Sequence, residues 1–303
     1  MELSYTVTPV ETGMRLGVFL RARGVTAGFI KSVKYRGTGF FADGAPVHTD
    51  YRVAAGQMVT LALPPERDTS VIPQNIPLCI AYEDDFAVLL NKPAGLAVHP
   101  TLNYPDHTLA NGWLYHLEQA GQTGVFRPVN RIDKNTSGLV LCAKNSFAAP
   151  ALAASSEKRY LAVAEGSMPL GPGQVCAPIG RRGDSIIGRC VTPEGKPSLT
   201  RYRVLAASAA YSLLLCETVT GRTHQIRVHM SSIGHPLAGD TLYGGSADVI
   251  GRQALHCAAI RFSHPVTGAG ITVQAHWPAD IRGLCAAAGL SLPRAFDLRD
   301  DFD

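Results

Sequence analysis

The sequence contains no long apolar run, and its cysteines do not have the spacing of a disulfide framework or a metal site. No stretch of consecutive apolar residues approaches the roughly 18 that a helix needs to cross a bilayer. The first residues, MELSYTVTPVETG, lack the basic and apolar regions of a secretion signal. The seven cysteines are odd in number and form no C-x-x-C pair, which disfavours a disulfide framework or a zinc ribbon. We therefore expect a soluble cytoplasmic protein with reduced thiols and no membrane partner.

The signatures of several common enzyme classes are also absent. There is no G-x-S-x-G elbow and no G-x-x-x-x-G-K-[ST] loop, and the Gly-x-Gly pairs lack the third glycine of a dinucleotide site. His224 and His229 are five positions apart, not the four that place two zinc ligands on one helix face. These absences argue against serine hydrolases, NTPases and NAD-dependent enzymes, and they favour structural or RNA-facing roles for the two histidines.

Composition and charge allow a nucleic-acid partner without requiring one. The chain has 303 residues, of which 46% are hydrophobic, so it can bury a sizeable core. The formal net charge is only +4, a mild basic excess and not a basic tail. Length and composition together favour one large domain and one small domain.

Residues 1–65 are predicted to form a small unit of two helices followed by short strands. Apolar residues recur at helical spacing in two segments, which end before Gly24 and Gly37. The runs FFADGAPV and QMVTLALP are typical of strands, and the first contains the turn dipeptide Asp43-Gly44. Residues 66–77 are polar and hold two prolines, so we expect a linker there.

Residues 78–303 are predicted to form one domain built on a large sheet. Strand-like runs such as FAVLLN, GLVLCAKN, KRYLAVAEG and YSLLLCETVTG alternate with turns and short helical stretches. This pattern favours an α+β fold with a mixed, mainly antiparallel sheet and flanking helices.

Two segments combine dense polar residues with apolar surroundings: RPVNRIDKNTSGLVLCAKN and TGRTHQIRVHMSSIGHPLAGDTLYGG. Buried polar residues must be paired or functional. In the first segment Asp133 precedes a continuous apolar strand, so its carboxylate is expected on a loop that enters the core.

The second segment is predicted to contain a helix that is capped by Thr223 and runs to Gly234. Its buried stripe would hold Ile226, Met230 and Ile233, while another face would carry His224, Arg227 and Ser231. If that second face meets the Asp133 loop, Arg227 gives the carboxylate a charge partner and fixes its orientation.

These segments resemble the motifs of RluA-type pseudouridine synthases, which isomerise uridine in RNA. The first is similar to HRLDxxTSG, and the second matches GRTHQIRVH...GHP..GD..YG nearly letter for letter. LLNKPAGLAVHP and KRYLA resemble two further signatures of the family, and residues 1–65 resemble the S4 RNA-binding fold. The resemblance extends from residue 13 to about residue 285. One departure is Asn130, which stands where the motif most often has histidine.

The resemblance implies roles for individual residues. Asp133 would be the catalytic aspartate, Tyr160 would stack on the target base, Arg227 would pair with the carboxylate, and Arg131 would fill the space of the flipped nucleotide. Four further residues are expected to bind the substrate: Asn130, Thr136, Arg222 and His224. The S4-like unit would bind RNA through Arg21, Arg23, Lys31, Lys34 and Arg36. No metal and no cofactor is implied, and we expect a monomer that binds RNA.

The sequence leaves several alternatives open. Asp133 could act as a nucleophile or as a base, because isomerisation requires the flipped uridine to break and remake its glycosidic bond. Ribosomal and transfer RNA are both plausible substrates, and the S4-like unit favours ribosomal RNA. One rival is an RNA-binding or assembly protein that keeps the fold without catalysis. Another is a metal-dependent hydrolase built on His224, His229 and Asp133.

Overall fold

The computed structural model describes residues 2–37, 39–66 and 70–291. Its amino-terminal unit is a four-stranded antiparallel sheet packed against two helices, and the strand order is β1-β4-β2-β3. The elements are β1 (Glu2–Thr6), α1 (Leu16–Ala22), α2 (Ala27–Arg36), β2 (Phe40–Ala42), β3 (Ala45–Val47) and β4 (Met58–Ala62). The two predicted helices and the predicted strands are confirmed, whereas β1 was not predicted.

The turn between β2 and β3 follows from its two residues. Asp43 and Gly44 both have positive φ, 48° and 80°, as a two-residue hairpin turn with the twist of its strands requires. The adjacent core is filled by the predicted apolar positions of α1 and α2: Leu16, Phe19, Leu20, Phe29, Ile30 and Val33. The sequence therefore determines this unit largely through local signals.

The larger part of the chain is built on one ten-stranded sheet, as predicted for an α+β fold. Its order is β10-β13-β14-β9-β15-β8-β6-β5, with β16 paired to β15 and β7 paired to β8. Its strands are β5 (Ile80–Glu83), β6 (Ala87–Lys92), β7 (Arg127–Pro128), β8 (Ser137–Ala143), β9 (Glu157–Glu165), β10 (Gly171–Cys176), β13 (Leu199–Ala207), β14 (Tyr211–Thr218), β15 (Leu255–Ser263) and β16 (Gly270–Gln274). A separate hairpin pairs β11 (Ile179–Arg181) with β12 (Arg189–Val191).

Four short helices accompany the sheet: α3 (Leu109–Gln119), α4 (Ala148–Ser155), α5 (Gln225–Ser232) and α6 (Ala279–Ala287). Helices α3, α4 and α6 bury an apolar face and leave other residues exposed, as expected for helices on the surface of a sheet. Helix α5 differs, because its first six residues are all buried, polar ones included. None of the helices in the described ranges is long and apolar enough to cross a membrane.

Strands β8 and β15 run parallel, while the other strand pairs described in this sheet are antiparallel. They meet at Ser137 opposite His256 and at Gly138 opposite Cys257. Gly138 has a φ of +109°, and a Cβ atom there would lie 2.2 Å from the carbonyl oxygen of Cys257. Only glycine fits this contact, which fixes the point where the Asp133 loop enters the sheet.

The segment between the two parts of the chain is attached to the larger one. Residues 67–69 of the predicted linker lie outside the described residues, as do residues 292–303 of the predicted catalytic domain. Beyond that gap, Val71 is buried in the main core. Asn111 on α3 donates its side-chain amide to the Ile72 carbonyl and accepts the Gln74 amide at its own carbonyl. Residues 70–77 thus run along the domain surface, and the division at residue 65 stays a prediction.

Candidate active site

The side chains of Asp133 and Arg227 meet, as the sequence predicted. The Arg227 Nη1 atom donates to Asp133 Oδ2 at 2.8 Å. Its Nε and Nη2 atoms donate to the two carboxylate oxygens of Asp240 in a bidentate ion pair, at 2.7 and 2.8 Å. Asp240 is buried, whereas a quarter of the Asp133 side chain stays exposed. Asp240 therefore fixes the orientation of the Arg227 guanidinium, and the remaining Nη1 atom binds and orients Asp133.

The charge of Arg227 is stable despite its burial. Burial alone would lower the pKa of Arg227, but the hydrogen bond to Asp240 and the charges of Asp133 and Asp240 raise it well above its ordinary value. The guanidinium stays protonated at any pH at which the protein is folded. Asp133 thus faces a permanent positive charge.

Helix α5 carries Arg227 but does not begin as predicted. Thr223 forms no cap; instead the Gln225 side chain accepts from the Arg222 amide at 3.0 Å and from the Thr220 hydroxyl at 2.8 Å. The helix ends at Ser232, so the predicted extension to Gly234 is wrong. Ile226 and Met230 are buried as predicted, but Ile233 lies beyond the helix and is 39% exposed.

His224 lies directly before α5 in a left-handed conformation with a φ of 58°. Its Nδ1 atom is 2.7 Å from the Tyr243 hydroxyl, and its Nε2 atom is 3.8 Å from Asp133 Oδ2. Burial lowers the pKa of His224 below 6.5; Asp133 opposes this shift, and Arg227 and Arg189 add to it. The ring is thus mainly neutral near pH 7 and borders the candidate carboxylate.

Two residues predicted to bind substrate, Asn130 and Thr136, hold the Asp133 loop in place. Asn130 accepts from the Leu141 amide at 2.7 Å and donates to the Leu139 carbonyl at 3.2 Å. Thr136 accepts from the Gln253 side chain at 3.2 Å. Both side chains are buried, so asparagine satisfies this loop in place of the usual histidine. Any contact of these two residues with RNA stays a prediction.

A buried lysine lies behind the same loop. Lys92, at the end of β6, donates its Nζ atom to the carbonyls of Pro93 at 2.8 Å and Lys134 at 2.9 Å. Burial lowers the pKa of Lys92 to about 7, although Asp133 opposes the shift. Lys92 was not among the residues predicted to act at the site. The available signal was a lysine that ends the apolar run FAVLLNK.

A second cation behind the loop is Arg252, which was also not predicted. Its Nη1 atom donates to the Asn135 carbonyl at 3.2 Å, and its Nε atom donates to Asp280 of α6 at 2.6 Å. Lys92 and Arg252 therefore bind the consecutive carbonyls of Lys134 and Asn135 in the Asp133 loop.

Tyr160 and Arg131 differ in their access to solvent. Tyr160 lies on β9 in the main core, with 7% of its surface exposed. Burial raises the pKa of Tyr160 well above 10, and Cys257 and Asp133 raise it further, so the phenol stays protonated. Arg131 is exposed two positions before Asp133. Arg222 is also exposed, and it donates to the Pro197 carbonyl at 3.2 Å.

His229 is buried and bonded within the domain. Its Nδ1 atom is 2.8 Å from the Thr200 hydroxyl, and its Nε2 atom is 2.9 Å from the Ala177 carbonyl. With both ring nitrogens engaged, His229 does not join His224 and Asp133 in a ligand set. Across residues 2–37, 39–66 and 70–291, no three His, Cys, Asp or Glu side chains are grouped to hold a metal ion. The arrangement required by the hydrolase alternative is therefore not formed.

Most of the predicted RNA-binding residues of the amino-terminal unit are exposed on α1 and α2: Arg21, Lys31, Lys34 and Arg36. Arg23 is only partly exposed. It forms an ion pair with Glu11 at 2.8 Å and donates to the Thr6 carbonyl at 3.2 Å. Arg23 thus fastens the unit internally, and its predicted contact with RNA would require these bonds to be shared or broken.

The comparisons with known proteins agree with this geometry. The family model described as RNA pseudouridylate synthase matches residues 86–232, which include Asp133, Tyr160 and Arg227. The chain is 37% identical over 267 residues to the uncharacterized RNA pseudouridine synthase YjbO of Bacillus subtilis, covering 86% of this chain and 94% of that protein. It is 38% identical over 255 residues to ribosomal large subunit pseudouridine synthase D of Haemophilus ducreyi, covering 78% of each.

A solved structure gives the same result. Human RNA pseudouridylate synthase domain containing 1 aligns with a TM-score of 0.56 and 27% identity, covering 68% of this chain and 85% of that one. This chain belongs to the RNA pseudouridine synthase family, and the RluA-type resemblance is confirmed. It is an isomerase that converts uridine to pseudouridine in RNA.

Proposed function

We propose that this synthase modifies defined uridines of ribosomal RNA and that Asp133 is its catalytic carboxylate. The observation that carries the assignment is the Arg227 bridge, which joins buried Asp240 to partly exposed Asp133. A carboxylate held in this way has a fixed direction and needs little reorganisation when it reacts.

The substrate must leave its base stack before this carboxylate can reach it. Flipping a nucleotide costs a few kcal/mol, which protein contacts must offset. Arg131 is exposed next to the site and is suited to fill the vacated space. Tyr160, on β9, would contact the flipped base.

The reaction retains every atom of the substrate. The N1–C1′ bond breaks, the uracil ring turns, and a C5–C1′ bond forms, after which C5 loses its proton and N1 gains one. Asp133 would serve either as the nucleophile that holds the separated fragment or as the base that removes a ribose proton. The high pKa of Tyr160 suits its phenol to donating a hydrogen bond more than to accepting a proton.

The choice of ribosomal RNA as substrate is supported by the name of one relative and by the positive charge on α1 and α2. The relative from Haemophilus ducreyi is named as an enzyme of the ribosomal large subunit. The exposed cations of α1 and α2 are suited to a phosphate backbone, in keeping with an S4-like RNA-binding role. A monomeric enzyme in the cytoplasm, where ribosomal RNA is available, fits this proposal.

Pseudouridine mapping tests both the substrate and the catalyst. Total RNA from a strain that lacks the gene would be incubated with the wild-type protein, with Asp133→Ala, or with buffer. New pseudouridines at defined ribosomal positions with the wild type alone would support the proposal. Signal confined to transfer RNA would refute the ribosomal assignment. Equal RNA binding by both proteins without product from either would favour a non-catalytic RNA-binding protein.

A further inference from the structure

The β11–β12 hairpin projects from the domain beside the candidate active site. Its base is packed, because Ile179 is buried in a small cluster with Val228 and Tyr243. Its tip is not packed: Ile186 is 94% exposed and Ile187 is 57% exposed. The hairpin is therefore a protruding element with a fixed base and a free end.

A chain of short contacts joins the hairpin base to Asp133. The Arg189 amide donates to the Tyr243 hydroxyl at 3.0 Å. The same hydroxyl is 2.7 Å from His224 Nδ1, and His224 Nε2 is 3.8 Å from Asp133 Oδ2. A molecule bound along the hairpin would thus lie beside the catalytic carboxylate.

The hairpin also carries positive charge that the described part of the protein does not neutralise. Arg181 and Arg189 stand directly opposite each other in the β11–β12 ladder. Within the described ranges neither forms an ion pair; Arg189 donates its Nη1 atom to the carbonyls of Ile187 and Gly188. Like charges directly opposite on paired strands are destabilising.

The two buried arginines of the site are compensated. Arg227 contacts Asp133 and Asp240, and Arg252 contacts Asp280. Arg181 and Arg189 have no such acidic partner among the described residues, and a bound polyanion would supply the negative charge.

We propose that the β11–β12 hairpin is an RNA-binding surface whose Arg181 and Arg189 contact backbone phosphates beside the target uridine. RNA fits better than a protein partner, because the substrate backbone must pass close to Asp133 when the uridine enters the site. Adjacent phosphates also match two neighbouring guanidinium groups. This inference rests on the proposed catalytic role of Asp133.

The salt dependence of RNA binding gives a direct test. Filter binding with in vitro transcribed large-subunit ribosomal RNA would compare the wild type with the double variant Arg181→Gln/Arg189→Gln. Each lost phosphate contact reduces the slope of log K against log salt by about 0.7–0.9. We expect the double variant to lose about 1.4–1.8 from the slope and at least about tenfold in affinity at low salt.

Two further variants make the result specific. Arg181→Lys/Arg189→Lys keeps both charges and should retain most of the wild-type slope. Arg261→Gln removes an exposed arginine from the distal part of β15 and should leave slope and affinity unchanged. Near-wild-type thermal midpoints for all three would show that they are folded.

The outcomes separate this inference from the proposed function. If the glutamine double variant keeps the wild-type slope and affinity, the hairpin inference is refuted even if the wild type forms pseudouridine. If the wild type forms no pseudouridine in ribosomal RNA, the proposed function fails, while a reduced slope would still support RNA contact by the hairpin.

Discussion

Asp133 and Arg227 are 94 positions apart in the chain, yet their side chains meet at 2.8 Å. Their types and motif order allowed the pair to be predicted. The third partner, Asp240, was not singled out, because which acid faces the far side of a guanidinium depends on how the following loop folds back. Arg252 escaped prediction for the same reason, since its partners come from distant elements.

Lys92 should make stability depend on pH. Its folded pKa of about 7 lies below the ordinary 10.5, so between these values the unfolded state binds a proton that the folded state lacks. The free energy of unfolding therefore gains a contribution that rises with pH across this window, by up to about 1.4 kcal/mol per pH unit. Urea unfolding at pH 7.5 and 9.5 should show a larger rise for the wild type than for Lys92→Met.

Two controls isolate this contribution. Buried cysteines, whose pKa values burial raises, act in the opposite direction in both proteins, so the difference between the proteins reports Lys92. Lys31→Met removes an exposed lysine and should keep the wild-type pH response. An identical rise for wild type and Lys92→Met would show that Lys92 is charged in the folded state.

At the level of elements, local signals predicted α1, α2 and the long strands β8, β9 and β14, but not α3, α4, α6, β13 or β15. The apolar periodicity of α1 and α2 was sufficient, because Gly24 and Gly37 follow their ends. The start of α5 was wrong because the Gln225 side chain, and not Thr223, satisfies the groups before the helix. Short β1 gave only a brief alternation and was missed.

The pairing of β8 with β15 depends on a single residue, Gly138. Gly138→Ala would force a Cβ atom into the Cys257 carbonyl at a positive φ. We expect a loss of about 3 kcal/mol or more in the free energy of unfolding, together with loss of activity, because β8 and the Asp133 loop must shift. Chemical denaturation and a turnover assay would measure both effects.

Gly283 offers a matched control for this substitution. It lies within α6, and a Cβ atom there would meet nothing within 4 Å. Gly283→Ala should therefore stabilise the protein by about 0.5–1 kcal/mol, since alanine favours the helix. Equal stability of the two alanine variants would contradict the described contact between β8 and β15.

For the whole molecule, Phe147 joins the amino-terminal unit to the larger domain. It precedes α4, yet it is buried in the amino-terminal core, with ring centroids 5.4 Å from Phe29 and 6.2 Å from Phe86. The sequence could not predict this contact, because an apolar residue before a helix gives no indication of which core it enters.

Phe147→Ala should loosen the amino-terminal unit selectively. Removal of a buried phenylalanine costs about 3–5 kcal/mol. We expect hydrogen exchange to increase in α2 while β8 stays protected, because the main core is intact. Phe126→Ala, which removes a buried ring of the main core, should lack this selectivity. Unchanged protection of α2 in Phe147→Ala would refute the bridging role.

Catalysis by the Asp133 carboxylate is tested most directly by single-turnover pseudouridine formation with Asp133→Asn on ribosomal RNA that the wild type converts. The substitution keeps the shape of the side chain but removes its charge. The catalytic role predicts no detectable pseudouridine while RNA affinity stays within about twofold, since phosphate contacts supply most of the binding. Conversion at the wild-type rate would contradict it and assign the chemistry to another residue.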